Sequence, residues 1–93
     1  MTRISEDEFA RIVDGIRDDR ESIIKHNPIG TDEEILLWML LAILTSYLNL
    51  TEQETPCLTG RPDAGTYREA IRFVMRERMA DNFDLDQCLT QLC

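Results

Sequence analysis

The run from Ile35 to Leu50, ILLWMLLAILTSYLNL, limits what this chain can fold into more than any other segment. On a helical wheel its apolar side chains point in nearly every direction. The one weak sector holds Ala42, Thr45, Ser46 and Asn49, with Trp38 at its margin. A helix that is apolar on all sides is either enclosed by protein or placed in a membrane.

A bilayer span takes about 20 apolar residues. This run has 16, and Thr45, Ser46 and Asn49 interrupt it. Its flanks are acidic: Asp32, Glu33 and Glu34 before it, Glu52 and Glu54 after it. No Lys or Arg lies between Lys25 and Arg61. Nothing therefore anchors the run to anionic lipid or sets its orientation. The expectation is a buried helix, with no membrane role and a cytoplasmic location.

The enclosing elements are legible from their start signals. Ser5 with Glu8 forms a capping box, and Ile4 and Phe9 are placed for a hydrophobic staple. Phe9, Ile12, Val13, Ile16, Ile23 and Ile24 then recur at helical spacing, which predicts one helix over about 5–27. Pro28 and Gly30 end it. Thr31 with Glu34 opens the central helix, about 32–50. Thr66 with Glu69 opens a third, about 66–81, with Tyr67, Ala70, Ile71, Val74 and Met75 inward. Asp84 with Gln87 opens a short fourth helix, about 85–92, carrying Leu85, Cys88, Leu89 and Leu92. Residues 51–65 hold Pro56, Gly60, Pro62 and Gly65 and read as an irregular loop. Four start signals of one type agree with the periodicity, so the fold class is all-α. At 93 residues the chain fits one domain, a compact bundle with the central helix buried.

Two long partners and one short one cover about two thirds of a helix circumference. The strip left over runs along Leu37, Leu40, Leu41, Leu44 and Leu48. An exposed strip of that kind marks an interface, and a symmetric homodimer is its simplest cover.

Charge narrows the partners. Eighteen acids against ten bases give a formal net charge of −8. Phosphate binding needs clustered Lys and Arg, so direct nucleic-acid binding is not expected, whereas a protein with a basic surface is favoured. Arg68, Arg72 and Arg76 do form an i,i+4 stripe, with Arg61 in the loop before it. The stripe reads as ion pairs with acids such as Asp14, Asp18, Asp19 or Glu21, or as an anion site. Arg20 and Arg78 fall inside apolar arcs, where a snorkelling stem is the default.

No chemistry stands out. Cys57, Cys88, Cys93 and His26 would make up a zinc set in number, but not in spacing, because closed sites bring ligands in near pairs. Three dispersed cysteines and no basic-then-apolar start argue against a secreted disulfide framework. No nucleophile has a base nearby, and no glycine-rich phosphate loop exists. Neither a cofactor nor a metal nor an enzyme activity is expected. The reading is a non-catalytic helical interaction or regulatory module, dimeric, binding a partner protein through its acidic or apolar surface. Two alternatives stand beside it: an acidic inhibitor occupying the basic groove of a nucleic-acid-binding protein, and a small ligand binder or enzyme with an unrecognised pocket.

Overall fold

The computed structural model describes residues 2–56, 60 and 62–92. Among these, five helices and no strand are formed: α1 (Glu6–Asp18), α2 (Arg20–His26), α3 (Asp32–Leu48), α4 (Ala64–Arg78) and α5 (Leu85–Leu92). The all-α class follows. The radius of gyration is 12.3 Å, matching the ~12 Å of a well-packed globule of this length.

Caps set the boundaries. The Ser5–Glu8 and Thr31–Glu34 boxes are both closed reciprocally. Asp81 adds a carboxylate oxygen 3.0 Å from the Glu6 N–H, satisfying another orphan donor of α1. At the far end of α3, Asn49 takes the left-handed conformation (φ 56°), and the Leu50 N–H returns to the Thr45 carbonyl at 2.9 Å. Asn tolerates that conformation, so the helix closes without a glycine. Asp84 accepts from the Gln87 N–H and starts α5.

Two predicted boundaries are corrected. The helix expected over 5–27 is two helices, joined at Asp19 (φ −100°, ψ 14°). Asp18 and Asp19 are weak helix formers, and acids oppose the negative end of the α1 dipole. The helix expected at 66–81 spans 64–78 instead, because Asp63 rather than Thr66 is the cap. Its carboxylate accepts both the Thr66 N–H (2.8 Å) and the Thr66 hydroxyl (2.9 Å). Its C-terminus stops at Arg78 because the chain beyond is drawn to the N-terminus. Ile4 donates to the Arg78 carbonyl and accepts from the Ala80 N–H, an isolated bridge.

The break at Asp19 reshapes the core. Once α2 turns away from α1, both pack on α3, and α4 packs on it as well, while α5 lies against α1. Ile35, Leu36, Leu37, Leu40, Leu41, Leu44 and Leu48 are all buried by the chain itself. Each such side chain contributes about 1.5–3 kcal/mol of transfer free energy. Phe9 and Phe83, with ring centroids 5.7 Å apart, close the core between α1 and the segment leading into α5.

The 51–65 loop begins with a capped turn. Thr51 and Glu54 form a further reciprocal box: the Thr51 N–H donates to Glu54 Oε1 and the Glu54 N–H to Thr51 Oγ1. The turn presents Glu54 to Arg78, whose side chain is only 11% exposed and whose guanidinium lies 3.1 Å from Glu54 Oε2. The same guanidinium donates to the Leu48 and Thr2 carbonyls. Arg78 therefore does not snorkel. It ties together the ends of α3 and α4, the turn and the N-terminus.

Candidate interaction surface

The five leucines expected at an interface lie in the interior. Leu37, Leu40, Leu41 and Leu44 are 0% exposed and Leu48 is 1% exposed within one chain. The expected strip is absent because α1, α2 and α4 all pack on α3 and leave none of these leucines open. The wet side of α3 is the sector of Ala42, Thr45, Ser46 and Asn49, as the wheel indicates, but it is wider. Met39 and Ile43 are also partly exposed there.

That side of α3 runs beside α1 in antiparallel register. At one end, the Tyr47 hydroxyl donates to Glu8 Oε2. Further along, Ile12 and Ile16 of α1 and Met39 and Ile43 of α3 line one surface. Between them lies a shallow groove of about 430 Å³, lined by Ile12, Gly15, Ile23, Met39 and Ile43, with Arg11 and Asp19 at its rim. Ile16 forms its floor and is 2% exposed.

Gly15 is the unexpected member. It sits inside α1, where Gly costs about 0.5–1 kcal/mol relative to Ala. Its φ is not left-handed, and an added Cβ would meet no atom within 4 Å. Neither the backbone nor the packing of this chain requires glycine here. Arg11 and Asp19 are both exposed and form no ion pair or side-chain hydrogen bond among the described residues. Sequence reasoning missed the groove because it placed Ile12 and Ile23 on one continuous core stripe. The signal was a solvent-facing Gly flanked by charges of opposite sign at i−4 and i+4.

The arginine stripe is largely consumed within the chain. Arg68 pairs with Glu33 of α3. Arg72 pairs with Glu69 and reaches Asp86 of α5 at 2.7 Å. Its pKa is raised, chiefly by the Asp86 hydrogen bond. Arg76 has no carboxylate partner among the described residues and lies beside exposed Phe73. Arg61 lies outside the described residues. The pairing acids are Glu33, Glu69 and Asp86, not those of α1.

The zinc set is not assembled by the described residues, among which no group of three possible ligands occurs. His26 is exposed, with Nδ1 2.7 Å from the Ser22 carbonyl. Cys57 and Cys93 lie outside the described residues. Cys88 is half-buried, and burial first, then Glu6 and Asp84, push its thiol pKa up. A raised pKa lowers the thiolate fraction and with it the nucleophilicity of the thiol.

A smaller cavity of about 80 Å³ lies between Trp38 and Tyr67, with Ile29, Ile35 and Pro62 around it. Polar atoms on its wall are engaged: Glu34 Oε1 accepts the Thr31 N–H, and Asn27 Nδ2 donates to the Ile23 carbonyl. Among the described residues, no helix is long and apolar enough to cross a membrane.

Two carboxylates have lowered pKa values. The Thr51 N–H, and then Arg78, hold Glu54 below its ordinary 4.5, against the opposing effect of burial. Thr66 holds Asp63 below 3.8. Both groups bind protons more weakly when folded. Their contribution is complete above about pH 4.5 and is lost as pH falls through the depressed values. Urea midpoints are expected to fall as pH drops below about 4.5, and Glu54→Gln with Asp63→Asn should lessen that fall.

No family model, curated protein or solved structure matches this chain.

Proposed function

We propose that the chain is a non-catalytic protein-interaction module whose contact face is the groove between α1 and α3. The observation that carries this reading is the partly exposed apolar strip of Ile12, Ile23, Met39 and Ile43 around an unconstrained Gly15. Isolated exposed apolar residues such as Ile29 and Phe73 are ordinary on any surface, whereas a contiguous strip bordered by charges is the pattern of a contact site. Charge supports the same reading. Residues 2–56, which build this face, carry 12 acidic against 5 basic side chains. Such a field favours approach by basic protein surfaces and disfavours nucleic acid.

The test is site-specific photo-crosslinking in the expressing cell. Met39→p-benzoylphenylalanine is expected to give a discrete adduct, and the same probe at exposed Lys25 none. Ile43→Glu should abolish the adduct while costing the fold only about 1 kcal/mol, because Ile43 is already partly wet. Equal labelling from both positions, or none from Met39, contradicts the reading.

A further inference from the structure

We infer that the groove between α1 and α3 seats a second copy of this chain, with the two α1 helices crossing antiparallel at Gly15. The inference rests on the reading of that groove as a protein contact face and names its occupant.

A two-fold interface must be complementary to itself: whatever residue i meets as j, residue j must meet as i. Arg11, Gly15 and Asp19 meet that condition. They lie at i−4, i and i+4: Arg11 and Gly15 within α1, and Asp19 at its C-cap, where its N–H still reaches the Gly15 carbonyl at 3.2 Å, so the two charges stand about 6 Å along the chain axis on either side of the glycine. A two-fold axis through Gly15 carries Arg11 of one copy onto Asp19 of the second copy, and Asp19 onto Arg11. Neither charge has an ion-pair partner within its own chain among the described residues. The i,i+4 partner available to Arg11, Asp7, is not used either, and Arg17 turns to Asp14.

Gly15 then has a reason that the isolated chain does not supply. The open space above its backbone lets a second helix approach closer than any side chain would permit. On either side of the crossing, partly exposed Ile12, Ile23, Met39 and Ile43 are covered by the apolar groove of the second copy. A partner helix with basic residues on both edges would satisfy Asp19 and leave Arg11 opposed. The second copy satisfies both. The net charge of −8 works against association, but at physiological ionic strength repulsion between charges more than about 8–10 Å apart is largely screened. The contact is therefore decided at short range.

Sedimentation equilibrium of the full chain at increasing concentration tests this. The wild type is expected to move from 10.8 kDa toward twice that mass. Gly15→Trp places a large side chain in the seam from a Cβ that meets nothing within 4 Å in the isolated chain, and is expected to stay monomeric with an unchanged circular dichroism spectrum. Arg11→Asp should weaken the dimer about tenfold or more, since both symmetric pairs become repulsive. The double variant Arg11→Asp/Asp19→Arg should restore it. Recovery by the double variant is an outcome a mere folding defect would not produce. A wild type that remains at 10.8 kDa overturns the inference, as does a dimer indifferent to Gly15→Trp and Arg11→Asp. A monomeric wild type whose Met39 probe still labels another protein overturns the second copy alone and leaves the contact face standing.

Discussion

Leu44→Asp is expected to leave no folded chain at room temperature. Leu44 is 0% exposed, and its α3 neighbours on the same face, Leu37, Leu40, Leu41 and Leu48, are no more than 1% exposed. Truncating such a residue to Ala alone costs about 2–5 kcal/mol. An unpaired carboxylate at the same place adds several kcal/mol or stays neutral at a similar penalty. A domain of this length has about 5–10 kcal/mol of stability in total, so the substitution exhausts it. Far-ultraviolet circular dichroism should show loss of the helical signal. Ser46→Asp, two residues on and exposed, should change stability by no more than about 0.5 kcal/mol. A soluble, helical Leu44→Asp monomer would mean that this side of α3 is a seam between chains and not the interior of one.

Arg78→Met is the second large effect. Methionine keeps much of the buried stem but removes the guanidinium, which alone joins Glu54, the Leu48 carbonyl and the Thr2 carbonyl. The carbonyls at the end of α3 and the N-terminus then lose a charged donor in a part-buried setting. The expected cost is about 1–3 kcal/mol, or a fall of roughly 5–20 °C in melting midpoint for a domain of this size. Glu54→Gln should fall short of this, because the arginine still reaches both carbonyls. Hydrogen exchange should show the loss locally, in the last turn of α3 and the Ile4–Met79 bridge. Equal effects from both variants would show that the ion pair, and not the carbonyl contacts, carries the role of Arg78.

The contrast between those residues shows where sequence reasoning reaches. Ser5–Glu8 and Thr31–Glu34 were legible because a cap is local: its partners lie three residues apart and its chemistry is the same in every fold. The polar sector of α3 was legible for the same reason, since periodicity assigns each side chain a direction. What faces that direction is not local. The stripe from Phe9 to Ile24 keeps helical spacing through Asp18 and Asp19, so the break was invisible to periodicity, and with it the extra cover that α2 supplies. One helix too few in the count left Leu37 to Leu48 without a partner on paper. Arg78 shows the same limit. Its position in an apolar arc was evident, but Glu54 lies 24 residues away, and only the folded chain brings them together. Gly15 is the converse case. It lies inside the predicted first helix, yet its freedom from any steric role in the chain is evident only from its surroundings in the fold.

The central claim is that one chain suffices to bury α3, with any second copy seated on the α1 groove of an already folded protein. Urea unfolding of the Arg11→Asp variant, in which the α1 seam is broken, followed by Trp38 fluorescence at about 100 nM, and again at tenfold dilution, tests it directly, because an obligate dimer has no stable folded monomer and loses stability on dilution. The account predicts one cooperative transition with the same midpoint at both concentrations. A midpoint that falls on dilution, or a chain already unfolded at the lower concentration, would contradict it.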